Sequence, residues 1–314
     1  MNTPSKITYV GIDVSKASLD VFHPQWTAPR RFSNDASSFE SLWRELRSSS
    51  DPIHLILEAT GGYERPLRRA AQSAQRPLSL VNPRQARDFA KASGQLAKTD
   101  PIDARTLARF GECLRPEPSP LPAASSQKLQ AAVRRRAALV EASVREQALL
   151  DTVDDPYVRR DIRSSLTALK RRIAKFDAQI EKLIAKDPQL QAKRTRLEQI
   201  KGVGLTLSAT LLAELPERGE IADRPLASLC GLAPFNRDSG VHQGQRSTWG
   251  GRGRIRRALY MPTLCAIRYN PPLNELSQRL IAKGKPAKVA ITAAMRRLIC
   301  VLNRMLADPD FQPR

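Results

Sequence analysis

The amino-terminal part of the chain alternates short apolar runs with polar breaks. Residues 7–13 (ITYVGID) form an apolar, partly β-branched run, and 19–22 (LDVF) form a second after a polar turn; both predict strands. Residues 30–32 (RRF) predict a third strand, ahead of a helix over about 36–47. A fourth strand is expected at 53–58 (IHLILE), then Gly61-Gly62 and a helix from about 63, then a short fifth strand at 78–81 (LSLV) and helices to about 114. Three antiparallel strands followed by alternating helix and strand is the order of a ribonuclease-H-like sheet. The expected class is therefore α/β here, with the first and fourth strands side by side and a late helix crossing their ends.

The period then changes. Residues 115–122 (RPEPSPLP) carry prolines at alternating positions, which neither a helix nor a central strand accepts, so an extended linker is expected. Past it, Ile162, Leu166, Leu169, Ile173, Phe176, Ile180 and Leu183 recur at alternating spacings of four and three, a heptad seam. The preceding arm, about 126–153, carries Leu129, Val133, Val140 and Val144 less regularly, with Arg136 at an expected apolar position. Asp154-Asp155-Pro156 predicts the turn between the arms. The pattern suits two helices packed within one chain, and also a coiled coil between chains; the regularity of the seam favours self-association as a dimer or tetramer. The expected organisation is an α/β domain over 1–118, a coiled-coil helical hairpin over 119–192 and a basic, mainly helical domain over 193–314.

Charge narrows the function. Lys plus Arg number 52 against 31 for Asp plus Glu, a net charge of +21, and residues 191–314 alone hold 21 cations against 9 anions. This disfavours a typical small-metabolite enzyme and points to a polyanion, most often nucleic acid. Arginine dominates the cations, and its guanidinium grips phosphate through two N–H groups and stacks on bases. Cys113, Cys230, Cys265 and Cys300 lie far apart with no paired spacing, which argues against a zinc site and reads as four reduced core thiols. No window approaches the ~18 apolar residues of a membrane span, and the start lacks a signal-peptide pattern. A cytoplasmic protein without a membrane partner is expected.

Four carboxylates stand where such a sheet would gather them. Asp13 ends the first strand, in GIDVSK, and Glu58 ends the fourth, in LEATGGYE. Asp100 and Asp103 open a helix, in KTDPIDAR, where Pro101 is tolerated and a spacing of three places both acids on one helix face. Singly, each has a plain structural explanation: a turn residue at Asp13, a cap at Asp100, a dipole partner at Asp103. Glu58 is harder to explain in that way, because it closes an apolar strand where an unpaired charge is costly. Converging acids repel and need a counter-charge. Hard divalent cations such as Mg²⁺ (or Mn²⁺) provide it, and two of them about 4 Å apart serve phosphoryl transfer.

In the last third, 200–204 (IKGVG) leads into an apolar helix over 205–215 and resembles the turn of a helix-hairpin-helix module. Gly202 and Gly204 would then let the backbone approach phosphate, giving sequence-independent binding; the plainer alternative is a glycine turn between two helices. Further on, Arg237, Arg246, Arg252, Arg254, Arg256 and Arg257 are interleaved with glycines, and Asp238 is the only acid among them. This loop, turning into a basic helix, suits phosphodiester contact; the alternative is a solvated basic loop. Ser239 stands at its mouth. By itself it is an ordinary turn serine, with His242 nearby in sequence.

GIDVSK, LEATGGYE and KTDPIDA resemble the RuvC-like DEDD domain of the Piv-type insertion-sequence transposases, the family of insertion sequence one-ten. LAPFNRDSG…WGGRGRIRRALYMPTL…RYNP resembles that family's second, transposase domain, so the resemblance covers almost the whole chain. It implies that Asp13, Glu58, Asp100 and Asp103 bind the catalytic Mg²⁺ (or Mn²⁺). It also implies that Ser239, in the family's (D/Q)SG motif, is a nucleophile forming a phosphoserine link to DNA. Further implied are donor and target DNA, a noncoding bridge RNA that pairs with both, and a bacterial, nucleoid-associated setting. With the two sites on separate domains, sites shared between protomers are expected. Two alternatives stand beside this reading. One is a metal-dependent, structure-selective nuclease resembling junction resolvases, with water in place of Ser239; the other is a non-catalytic nucleic-acid-binding protein of the same fold.

Overall fold

The computed structural model describes residues 7–47, 51–94, 100–119, 124–235 and 247–313, with backbone only at 100–102, 124 and 235. The chain forms two compact units, Met1–Leu121 and Pro122–Arg314.

In the first unit, β1 (Thr8–Val14), β2 (Ser18–Phe22), β3 (Arg30–Ser33), α1 (Ala36–Leu46), β4 (Ile53–Glu58), α2 (Arg65–Ser73), β5 (Leu78–Val81), α3 (Pro83–Ala92) and α4 (Asp100–Leu114) follow in order. The sheet order is β3-β2-β1-β4-β5. β2 is antiparallel to β1 and to β3, while β4 is parallel to β1 and to β5. The expected element order and the adjacency of the first and fourth strands are both observed. Val10, Ile12, Leu55, Ile56 and Leu57 are fully buried. Both faces of the central strands are covered, which is why they read as continuous apolar runs. One face packs on α1 and α2 through Leu42, Leu46 and Leu67; the other packs on α3 and α4 through Ala86, Leu107 and Phe110.

The proline-rich segment does not leave the sheet at once. Ser119 donates its N–H to the Leu78 carbonyl (2.7 Å), and its Oγ accepts from the Leu80 N–H (3.0 Å). Ser79 Oγ donates to the Glu117 carbonyl (2.6 Å). Residues 116–119 thus run along the outer edge of β5.

The second unit holds α5 (Ala124–Leu150), α6 (Pro156–Ala185), α7 (Pro188–Leu197), α8 (Leu205–Glu214), α9 (Asp223–Leu229), β6 (Pro234–Phe235), β7 (Ser247–Thr248), α10 (Gly253–Tyr269), α11 (Pro271–Ala282) and α12 (Ala287–Ala307). α5 and α6 form the expected hairpin. Asp155 starts α6, accepting from the N–H groups of Tyr157 (3.0 Å) and Val158 (2.9 Å), with Pro156 in the first turn. All seven seam residues are buried or half-buried, with α5 packed along α6 in the same chain. Arg136 pairs with Asp177 across the hairpin, so an ion pair stands where the heptad asks for an apolar side chain. The regularity of the seam is accounted for without a second chain. Nor is the hairpin separate from the later helices: Leu129, Val133, Ile180 and Ile184 share one core with Leu197, Leu207, Ile255 and Leu298.

Cys230 and Cys300 are buried, and burial pushes their thiols up to about 12 and about 11. Cys265 is half-buried. Cys113 is exposed on the outer side of α4, which corrects the expectation of four core thiols. Among the described residues no helix is long and apolar enough to cross a membrane.

Candidate active site

β1 and β4 run parallel with Ile12 opposite Leu57, so the next pair sets Asp13 beside Glu58 at the carboxyl ends of both strands. Paired residues of a parallel ladder project to the same face. Here that is the face of Tyr9, Gly11, His54 and Ile56, as the stacked Tyr9 and His54 rings confirm (centroids 5.4 Å apart). Helix α4 lies on this face, brought in by two glycines. A Cβ on Gly11 would stand 1.9 Å from the Ala104 carbonyl oxygen and 2.5 Å from the Ala108 nitrogen. A Cβ on Gly111 would stand 2.7 Å from the Ile56 side chain and 2.8 Å from the Tyr9 ring. Ala104 therefore rests over Gly11 and Gly111 over Tyr9. α4 runs antiparallel to β1, and its first turn points to where Asp13 and Glu58 end. Asp103 sits in that turn, and Asp13, Glu58 and Asp103 are all half-buried. Asp100 opens the helix three residues earlier; its side chain lies outside the described part.

Register adds an acid that the sequence does not single out. Asp20 stands opposite Asp13 in the β1–β2 ladder and opposite Arg31 in the β2–β3 ladder. It is buried, and Arg31 donates to its two oxygens from Nε and Nη2, each at 3.0 Å. The guanidinium balances Asp20 and keeps a further uncompensated charge away from Asp13.

Asn34 is a second such residue. Its side-chain amide donates to the carbonyls of Ser15 (2.9 Å) and Tyr63 (3.0 Å). It so ties the turn after β1 to the loop after β4, the two strand ends that carry Asp13 and Glu58. That loop is folded by Glu64, which is buried and accepts from the Gly62 N–H (2.8 Å) and Thr60 Oγ1 (3.2 Å). Gly61 and Gly62, at φ 74° and 121°, make the turn possible. The two acids of LEATGGYE thus divide: Glu58 faces the site and Glu64 shapes its loop.

Oxygen donors on one half-buried face, beside a helix amino terminus, match the ligand chemistry of a hard divalent cation. Among the described residues, no three acids, imidazoles or thiols already stand close enough to ligate one ion together. The fit is one of donor type and placement, with Asp100 as the remaining donor.

The basic region uses its residues differently. Arg237, Ser239 and Arg246 lie outside the described residues. Arg252 donates to both carboxylate oxygens of Glu217 (2.7 and 2.6 Å) and to the Glu214 carbonyl (3.0 Å). Burial pushes the Glu217 carboxyl up, but the hydrogen bonds and charge of Arg252 outweigh it, and the group is held below its ordinary value. Arg256 donates to the carbonyls of Gly231 (3.2 Å) and Gly250 (2.9 Å). Arg252 and Arg256, expected to hold phosphate, are therefore engaged in bracing the turns of this unit. Arg257 meets Glu141 of α5 at 2.8 Å on the surface. Arg254 makes no ion pair among the described residues and lines, with Arg257, a cavity of about 250 Å³. The two hairpin glycines also part ways. Gly202, at φ 99°, lets the turn approach α10, where a Cβ would stand 2.8 Å from the Pro262 carbonyl oxygen. Gly204 is exposed at the start of α8, with open space around it.

A family model described as a transposase, of the IS110 DEDD type, matches residues 10–154, and the transposase IS116/IS110/IS902 family matches residues 194–278. The first span contains Asp13, Glu58, Asp100 and Asp103, and the second contains Ser239. The chain is 31% identical over 309 residues to the pilin gene-inverting protein of Moraxella lacunata, covering 94% of each chain. The protein of the same name from Moraxella bovis is equally similar, at 31% over 309 residues. The uncharacterized 43.6 kDa protein of insertion element IS110 from Streptomyces coelicolor is 30% identical over 150 residues, which is 47% of this chain and 36% of that one. Two matched halves in the right order, and a relative aligned almost end to end, establish that this chain belongs to the IS110-type transposase family of DNA-rearranging enzymes.

Proposed function

We propose that this chain is the RNA-guided recombinase of a mobile insertion sequence, cutting and rejoining donor and target DNA through a phosphoserine at Ser239. The observation that carries this reading is placement: Asp13 and Glu58 end adjacent parallel strands, and α4, with Asp103 in its first turn, is seated over the same sheet face, on a sheet ordered as in ribonuclease-H-like and RuvC-like domains. In it, Asp13, Glu58, Asp100 and Asp103 hold Mg²⁺ or Mn²⁺. When bound, the cation supplies counter-charge to the acids and polarises the scissile phosphate. Arg31 keeps Asp20 compensated, Asn34 fixes the spacing of the two strand ends, and the amino terminus of α4 favours an incoming phosphate. The Ser239 oxygen attacks phosphorus and its proton passes to solvent; the bond from phosphorus to one bridging oxygen breaks, that oxygen takes up a proton and leaves as the hydroxyl end of the cut strand, and the other end is carried on the protein.

Ser239 and the acids belong to different units, so acids of one protomer working with Ser239 of another, in a dimer or tetramer, is part of the reading. Val144, Leu149, Tyr157 and Val158, at the hairpin's end, are exposed and favour association there. The charge of +21 serves DNA and a bridge RNA together. Inversion of a gene, for which the Moraxella relatives are named, supports DNA rearrangement; a bacterial cytoplasm, at the nucleoid, is the setting that this reading entails.

Covalent trapping tests this. The protein is incubated with Mg²⁺, the RNA flanking its element and labelled junction DNA, then run on a denaturing gel. An adduct in wild type, absent in Ser239→Ala, is expected. Cleavage without adduct, surviving Ser239→Ala and lost in Asp13→Ala, would replace this reading by a nuclease that uses water. Binding without cleavage would leave only a nucleic-acid-binding protein. Mixing Asp13→Ala with Ser239→Ala chains is expected to restore activity if the sites are shared.

A further inference from the structure

A cleft of about 750 Å³ lies at the other end of the first unit's sheet, where β1 begins. We propose that this cleft binds a single-stranded nucleic acid segment, with bases stacked on its rings and the backbone held by its arginines. Half-buried Phe22 and Phe89 supply the rings, with buried Tyr9 in the cleft wall, and Arg105, Arg109 and Arg115 supply the cations.

The state of the arginines is the first argument. All three are exposed, and among the described residues none of them makes an ion pair. This sets them apart from Arg31 and Arg252, each held by a carboxylate. Asp51 and Glu112 also line the cleft, so three cations face two anions there and the surplus is positive. Cations that no acid has claimed, around a concave surface, are what a phosphodiester requires.

The second argument is stacking geometry. The Arg105 guanidinium lies over the Phe22 ring, 4.9 Å from its centroid. A planar cation on an aromatic face is the arrangement that extends to a base as the next layer. Phe89 meets Phe110 edge-on at 5.3 Å, which fixes its ring while leaving it half-buried at the cleft. A paired duplex cannot offer its base faces to such rings. A cleft in the range of about 300–1,000 Å³ takes small ligands or a few nucleotides, not a helix.

The third is placement. Arg105 and Arg109 stand one turn apart on α4, the helix whose first turn carries Asp103. Thr8 at the cleft and Asp13 at the acids are separated by five steps of β1, about 17 Å. The cleft thus runs from the start of β1 along α4 to Arg105, two residues from Asp103, so a strand held in it would lie alongside the acids. Arg115 ends that helix with φ 44°, a left-handed conformation that side chains other than glycine adopt at a cost. The inference does not depend on Ser239 or on the metal, and its test reads neither.

The test uses the full chain with DNA and RNA 12-mers of one sequence, each carrying a single 5-iodouracil, crosslinked by light and mapped by peptide mass. Crosslinks to peptides holding Tyr9, Phe22 or Phe89 are expected, and an unlabelled duplex of the same sequence leaves them in place. The DNA and RNA arms show which strand the cleft prefers. Arg105→Ala with Arg109→Ala is expected to weaken single-strand binding at least about fivefold. It should also reduce the slope of log affinity against log salt by about 1.4, at ~0.7 for each phosphate that is no longer neutralised. Phe22→Leu, which keeps charge and most of the volume, is expected to lose the crosslink with the slope unchanged. Crosslinks confined to residues after 122, with affinity and slope unmoved in the double variant, would overturn the proposal. So would displacement of the cleft crosslink by the duplex.

Discussion

Helices α4 and α10 are both laid close to their surroundings at a glycine, and they use their charges in opposite directions. α4 is seated by Gly11 and Gly111, and then presents Asp103, Arg105 and Arg109 away from the apolar core. α10 is approached by Gly202, and the arginines at its start turn back into the protein, Arg252 to Glu217 and Arg256 to two glycine carbonyls. The richer cluster of arginine is the one more occupied with internal contacts. A run of cations measures how much phosphate a segment can attract, and the acids and carbonyls folded against it decide how much of that remains for a ligand.

The contrast can be broken most directly at Gly11. Gly11→Ala forces α4 off the sheet and is expected to cost about 3 kcal/mol or more, since the obstructing atoms are backbone. Urea unfolding measures it, and a loss under about 1 kcal/mol would mean that α4 is not seated as described. Arg31→Ala strands the buried Asp20 and is expected to cost about 2 kcal/mol, discounted for the exposure of Arg31 itself. Arg31→Lys recovers only part, because an ammonium cannot span both oxygens as the guanidinium does. Arg252→Ala comes next at about 1–2 kcal/mol, because its pair with Glu217 is only partly shielded.

Arg252 also has a pH signature. The folded Glu217 carboxyl is held below its ordinary value of 4.5, so its contribution is complete above that pH and is lost as pH falls through the lowered folded value. Thermal melts between pH 6 and 3 should show that decline in wild type and a flatter curve in Arg252→Ala. Arg257→Ala, which breaks an exposed pair with Glu141, is expected to change stability by less than about 0.5 kcal/mol. The smallest perturbation is chemical: at pH 8 an alkylating reagent should label exposed Cys113 and leave Cys230 and Cys300, whose thiols sit near 12 and 11.

Much of the first unit is legible in the sequence because its signals are local. Central strands covered on both faces are continuous apolar runs, their ends are marked by Asp13 and Glu58, and Pro101 marks the start of α4. Asp20, Asn34 and Glu64 are not legible there, because their roles come from pairing register and from a loop that closes on itself. Nothing near Asp20 in sequence announces that Asp13 and Arg31 flank it. The internal contacts of Arg252 and Arg256 are not legible either, because Glu217 and Gly231 lie too far back along the chain to register beside them. Gly202 and Gly204 look alike in sequence, yet one packs on α10 and the other faces open space. Arg136 reads as a fault in a heptad until Asp177 is brought across from α6.

The segment after α4 has a consequence for the behaviour of the chain in concentrated solution. β5 is an outer strand of the sheet, and a bare outer strand invites another chain to add to it. Residues 116–119 occupy that side of β5, and Pro116 and Pro118 have no N–H with which to continue the ladder outward. At the opposite edge, β3 carries exposed Arg30 and Arg31. A version shortened to end at Leu114 would keep the acids and the sheet but lose this hem, and is expected to aggregate through β5 at concentrations where the full chain stays dispersed.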